Sequence, residues 1–250
     1  MFLNILTETV SEITPTRNLN ILYIIFDIVF LIIFICLLLR KKRYMTILFA
    51  LFGGILYTIV DYGGFYLMSG TRTVFINGEI ASSLNTFWVL LWMSMSYGIT
   101  NFAFIWVLIS KDKLAKYRIF LIVIWRLIAP SISQLGGEAT IQTVRTTGAY
   151  HGYMGIALVV GYLLLICFYF YKGDKNYLNI LYLFAIGFFV QFGREFSLLI
   201  NGIRPMNSMS IQTLLVNSCL ETNLGIPYIY FIYLFVTKYF TEDLKKIKKA

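Results

Sequence analysis

The chain has 250 residues, 59% of them hydrophobic and 13% charged, with a mean hydropathy of +0.76; a soluble domain carries about a quarter charged residues. That balance excludes an ordinary soluble enzyme and predicts an all-α, polytopic membrane protein, one membrane domain over residues 1–250 with no soluble domain of useful size. The net charge of +9 would suit nucleic acid, but it collects in the loops of one membrane face, so the expected partners are membrane lipids and no nucleic acid.

Residues 1–18 contain Glu8 and Glu12 and no basic leader, so they read as an extracytoplasmic segment and not as a cleaved signal peptide. Seven apolar segments follow, at about 19–39, 45–68, 86–109, 119–135, 152–171, 177–201 and 212–237, each near the ~20 residues that span a bilayer. The connections after the first, third and fifth segments carry Arg40, Lys41, Lys42 and Arg43, then Lys111, Lys113, Lys116 and Arg118, then Lys172 and Lys175. The tail adds Lys238, Lys245, Lys246, Lys248 and Lys249, which makes fifteen against Arg17, Arg72, Arg145 and Arg204 on the other side. The positive-inside rule then sets a seven-transmembrane-helix bundle with its N-terminus outside and a basic cytoplasmic tail at 239–250.

Within the segments the informative residues are those that do not belong in lipid. The first holds Asp27, and the second holds Tyr57 and Asp61 with the pairs Gly53-Gly54 and Gly63-Gly64, which suit close helix packing. Outer turns are expected at Ser69-Gly70 and Asn77-Gly78. In the third segment Trp88 and Trp106 read as interfacial belt residues, while Trp92, a turn deeper, either packs or lines a cavity. The fourth contains Arg126, an intramembrane cation for which Asp27 is the nearest partner in depth. The loop from Gln134 to Tyr150 is long enough for a lid, and His151 cannot build a metal site by itself. Cys36, Cys167 and Cys219 fall inside apolar segments without CxxC spacing, which predicts buried free thiols and neither a disulfide framework nor a zinc site.

The sixth segment holds Glu195 beside Arg194, and the seventh holds Glu221. Read as one helix, the seventh places Asn217, Ser218, Gly225 and Tyr228 on the side of Glu221, a polar stripe on an apolar rod, with a kink expected at Pro227. Counted by helical rise from the inner basic residues, Asp27, Asp61, Glu195 and Glu221 lie roughly 20–30 Å up, all in the outer half of the bilayer. Ionisable groups at that depth mark working sites by default. Carboxylates crowded into a poorly solvated space cannot all stay ionised, so one is expected to hold a proton, the raw material of acid–base catalysis and of proton-coupled transport. No lysine suited to a retinal Schiff base, no HExxH, no GxSxG and no P-loop lysine is present to direct other chemistry.

The run Arg40-Lys41-Lys42-Arg43-Tyr44-Met45-Thr46, then Ala50-Leu51, then Asp61 a membrane width later resembles the membrane-integral terpene cyclases of meroterpenoid biosynthesis. In that family a basic turn and a Thr-containing entry precede a second helix ending in a Trp-Glu pair, and a second acid lies in the last helix. Here Val60-Asp61 replaces Trp-Glu and Tyr57 stands near an expected Asn. The resemblance implies a cofactor-free, seven-helix frame in which Asp61 and Glu221 are catalytic and a lipophilic, prenylated substrate is protonated and cyclised. Asp27, Glu195, Asn217, Tyr57, Trp92, Tyr228 and Arg126 would be supporting residues. Two other classes stay open in the sequence, a proton-coupled transporter or channel for a small solute or ion, and a receptor or assembly protein without turnover.

Overall fold

The structure is a computed structural model, and it describes residues 16–113, 115–117, 123, 127, 128, 130, 131, 140–145, 150–173 and 177–240. It is mostly helical. Strand β1 (Thr16–Leu19) leads into α1 (Ile21–Arg40); α2 (Tyr44–Thr58) continues without interruption as a π-helix (Ile59–Met68). Strands β2 (Arg72–Ile76) and β3 (Glu79–Ile80) precede α3 (Ser83–Ile109), and β4 (Ile141–Arg145) precedes α4 (His151–Lys172). Helices α5 (Ile180–Ile200), α6 (Ser210–Leu220) and α7 (Ile226–Tyr239) complete the chain, the last two joined by a 3-10 turn (Asn223–Gly225).

Six helical stretches are long and apolar enough to cross a membrane: Ile21–Arg40, Tyr44–Met68, Ser83–Ile109, His151–Lys172, Ile180–Ile200 and Ser210–Tyr239. They coincide with six of the seven expected segments. The remaining segment at 119–135, with Arg126, lies outside the described residues except for isolated positions, as do most of the Gln134–Tyr150 loop and the tail beyond residue 240. Helix α3 is the axis of the bundle and is buried along most of its length, whereas α1 and α4 present exposed Ile28, Ile32, Val159 and Leu163. A surface of that kind is stable when hydrocarbon covers it. Helices α2 and α3 meet at glycines because nothing larger fits. A Cβ on Gly98 would overlap the carbonyl of Gly53, and one on Gly53 would overlap the Phe102 ring. Gly63, Gly64 and Gly193 have open space instead and do not serve packing.

Three expectations need correction. The fold is not purely helical, because the outer connections build a four-stranded antiparallel sheet in the order β1-β4-β2-β3. Its hairpin turns on Asn77 and Gly78, at φ 53 and 83, the doubly positive pair that a tight two-residue turn requires. Leu19, Val74 and Ile141 pack from this sheet onto Val89, Leu90 and Leu198 at the helix ends. Secondly, Trp106 is not at an interface: it is buried against Phe49, ring centroids 4.7 Å apart, while Trp88 is exposed. Thirdly, the cysteines are not buried; Cys36 and Cys167 are exposed and Cys219 is half-buried, because they fall on outward faces of their helices.

Candidate functional site

The sheet alternates, and that alternation aims its arginines. With a period of two, Arg17 shares a face with Leu19, Arg72 with Val74, and Arg145 with Ile141 and Thr143, and that face packs on the helices. Register places Arg72 directly opposite Arg145, a like-charged cross-strand pair that is unfavourable by itself. Asp61 resolves it. Its Oδ2 lies 3.2 Å from Arg72 Nη2 and its Oδ1 3.9 Å from Arg145 Nη1. Asp61 is carried by the π-helix, a form that recurs at functional positions, and Ser94 Oγ donates to Oδ2 over 3.4 Å.

Arg145 also reaches Glu221. Its Nη2 donates to Oε1 at 2.8 Å, and Gln191 Nε2 donates to Oε2 at 2.8 Å. Glu221 is not inside a continuous helix, as expected from sequence, but is the residue at which α6 ends. The chain then makes the Asn223–Gly225 turn before α7 begins, and Pro227 sits in the first turn of α7, where its missing N–H costs nothing. The break therefore lies ahead of the proline, and the expected stripe does not form. Gly225 lines the cavity with Glu221. Tyr228 turns outward, is 37% exposed, and donates to Ala157 O at 2.8 Å. Asn217 is buried with Oδ1 unpaired, and Ser218 Oγ returns to Leu214 O at 2.6 Å; neither lines the cavity.

A second charged cluster adjoins the first. Glu195 is 1% exposed; its Oε1 accepts from Arg17 Nη2 at 2.8 Å and from the Tyr97 hydroxyl at 2.5 Å. Arg204 Nη1 lies 2.8 Å from Oε2, an ion pair without hydrogen-bond alignment. Arg194 points away from its neighbour and lies over the Tyr97 ring, 3.7 Å from its centroid, donating to Thr100 Oγ1. All four arginines that the sequence counted as an outer-face minority, Arg17, Arg72, Arg145 and Arg204, thus face buried acids.

The two clusters meet at a cavity of about 370 Å³. Its polar end carries Arg17, Asp61, Arg72, Ser94, Arg145, Glu221 and Thr222, and its wall is Leu56, Tyr57, Phe65, Met93, Tyr97, Phe102, Ile105, Met154, Leu224 and Ile229, with Val60 and Gly225. The Tyr57 ring stacks on Tyr97 with centroids 5.7 Å apart. Asp61, Glu221 and Tyr57 are therefore brought together as expected. Glu195 is adjacent but behind Tyr97, and Asp27 is elsewhere, accepting from Trp92 Nε1 at 3.1 Å; Trp92 accordingly does not line the cavity. Arg126, the expected partner of Asp27, is outside the described residues.

The expectation that crowded acids force one to hold a proton loses its premise, since Asp61, Glu195 and Glu221 each meet guanidinium groups and charges alternate in sign. The arginines outside the spans are themselves unequal. Burial would lower Arg145, but Glu221 and Asp61 outweigh it and hold it raised; burial likewise opposes Arg17, which Glu195 raises. Arg72 is pushed down to about 9 by burial that Asp61 only partly offsets. His151 opens α4, buried, with neither ring nitrogen bonded. Among the described residues no group of three or more His, Cys, Asp or Glu is placed to hold a metal ion.

Arg17, Arg72, Arg145, Arg204, Tyr97 and Gln191 were not singled out as site residues from sequence. One signal was available: Asn-Gly flanked by the runs TRTVFI and EI, and the alternating IQTVR, read as strands, which would have put Arg72 and Arg145 on one inward face. No family model, curated protein or solved structure matches the chain.

Proposed function

We propose that the chain is a seven-span protein of the cell membrane, N-terminus outside and C-terminus cytoplasmic, that admits a lipophilic small molecule to this cavity and isomerises it by acid–base chemistry without a cofactor. The observation that carries the reading is that Asp61 and Glu221, 160 positions apart in sequence, line one cavity and are joined through Arg145. The roles of the two acids differ. Both oxygens of Glu221 are engaged, so it anchors Arg145 and Gln191. Asp61 Oδ1 is buried and accepts no hydrogen bond, so its lone pairs are not committed within the protein, as a base for a substrate proton requires.

Asp61 takes a proton from one carbon and the carboxylic acid so formed returns it at another, giving a double-bond shift with no change in mass. Arg72 and Arg145 compensate the carboxylate at each end of the cycle and stand beside the negative charge that develops on the substrate between them, in a wall otherwise formed by Tyr57, Phe65, Tyr97 and Phe102. The placing of two acids, one from the second span and one from the last, in an aromatic pocket resembles the membrane-integral terpene cyclases.

Purified protein in detergent, without any gradient, should convert a linear prenylated compound into an isomer of equal mass, and Asp61→Asn should lower the rate about 10²–10⁴-fold, the usual contribution of a positioned acid or base. A proton-coupled carrier is the second reading, favoured by the reach of Arg145 to both acids, which permits it to exchange partners. Gradient-dependent flux in proteoliposomes with no isomer formed from any prenylated compound would replace the first reading by the second.

A further inference from the structure

The polar end of the cavity holds an imbalance that the acid pair does not explain. Three arginines, Arg17, Arg72 and Arg145, line the cavity with two acids, Asp61 and Glu221, one cation in excess; Arg194, over the Tyr97 ring and bonded to Thr100, and Arg204, on Glu195, do not line it. The excess is localised. Arg17 Nη1 and Arg72 Nη2 converge from two strands on a single soft atom, Met93 Sδ, at 3.6 and 3.4 Å. A thioether is a weak acceptor. Arg72 is nine-tenths buried, its Nε has no partner, and its Nη2 meets Asp61 as an ion pair while its aligned hydrogen bond goes to the sulfur. Each guanidinium has an acid, Glu195 or Asp61, yet each also gives a donor to an atom that cannot share its charge, which is costly in a poorly solvated space; an oxyanion that displaces the sulfur takes both donors. All three groups line the cavity, whose other wall is apolar, and the excess is matched by a single negative charge.

We infer that the cavity takes an amphiphile with a monoanionic head, a long-chain carboxylate, bound between Arg17 and Arg72 beside Met93 with its chain along Leu56, Phe102 and Ile229. This rests on the reading of the cavity as a lipophilic-substrate site and names the substrate's polar end. The carboxylate accepts from both guanidinium groups, which fixes one end of the chain in the cavity that Asp61 also lines. The volume agrees with this class, since sites for small amphiphiles occupy roughly 300–1,000 Å³.

The test is equilibrium binding to the full chain in detergent, by calorimetry and by shift of the thermal midpoint, with dodecanoate, methyl dodecanoate, dodecanol and dodecyl phosphate as probes. Dodecanoate should bind about ten- to a hundredfold more tightly than the ester or the alcohol, the worth of one charge-assisted pair. Met93→Glu supplies the missing anion from the protein itself, so it should raise the thermal midpoint and abolish dodecanoate binding. Equal binding of dodecanoate, ester and alcohol overturns the inference, as does tighter binding of the phosphate, or a folded Met93→Glu protein that binds dodecanoate like the parent. Because binding is read without turnover, the two readings fail separately. Selective dodecanoate binding with no isomerisation of any substrate retires the catalytic reading and supports the head-group assignment; isomerisation of neutral prenylated compounds without carboxylate selectivity does the reverse.

Discussion

Glu195→Gln and Glu221→Gln remove the same charge from two glutamates of one region, and the structure separates their consequences. At Glu195 the replacement keeps one carbonyl oxygen, which can still accept from Arg17 and Tyr97 as Oε1 does. The amide nitrogen then replaces Oε2 and sets two donors against Arg204 Nη1, now 2.8 Å away. Arg204 is 7% exposed and is left charged and uncompensated, and breaking a buried pair from one side costs about 3–5 kcal/mol. At about 2–4 °C per kcal/mol for a chain of this size, the thermal midpoint should fall by roughly 6–20 °C. Glu221 is different because its side chain and that of Arg145 retain 15% and 18% exposure, and Arg145 keeps Asp61 within reach. Its replacement should lower stability by no more than about 1–2 kcal/mol, or roughly 2–8 °C in the midpoint, while activity falls. Tryptophan fluorescence during a thermal ramp in detergent measures both. A Glu195→Gln midpoint within 2 °C of the parent, or a larger loss at Glu221, would refute the assignment of Glu195 to the scaffold and Glu221 to the cavity.

Tyr228→Phe should leave binding and turnover unchanged and cost about 1 kcal/mol through the lost bond to Ala157 O; a tenfold loss of activity would return Tyr228 to the site. Gly98→Ala should sharply lower folded yield because its Cβ meets the Gly53 carbonyl, whereas Gly63→Ala, with open space around it, should be neutral or stabilising by about 0.5–1 kcal/mol; size-exclusion profiles of the two variants decide. Cysteine labelling of tags at residues 1 and 250 should find them on opposite sides of the membrane, and labelling on the same side would remove the seven-span topology.

Composition and the spacing of apolar segments determined the membrane-helical character, because a span is a local property that ~20 consecutive residues carry by themselves. Six of the segments stand where helices form. Asp61 and Glu221 were legible as candidates for the same reason, because a carboxylate in an apolar run is anomalous wherever the chain folds, but Asp27 and Glu195 were equally so, and only the resemblance singled out the two that line the cavity. What the acids bind was not legible. Arg72 and Arg145 lie 73 positions apart and look like loop residues until strand register sets them opposite each other over Asp61, and register is a relation between strands that no single segment contains. The failure of the Tyr228 stripe has the same origin. Helical periodicity was extended through Glu221, but the turn at Asn223–Gly225 resets the phase, and a single broken turn moves every later residue to another face. Asp27 and Glu195 shared the depth of the other acids, yet depth is one coordinate of three; packing around Trp92 and Tyr97 assigned each of them a different partner. The sequence therefore determined which residues are out of place in lipid, and the tertiary structure alone decided which of them meet, because charge compensation in a buried site depends on contacts a few ångströms long between segments far apart in the chain.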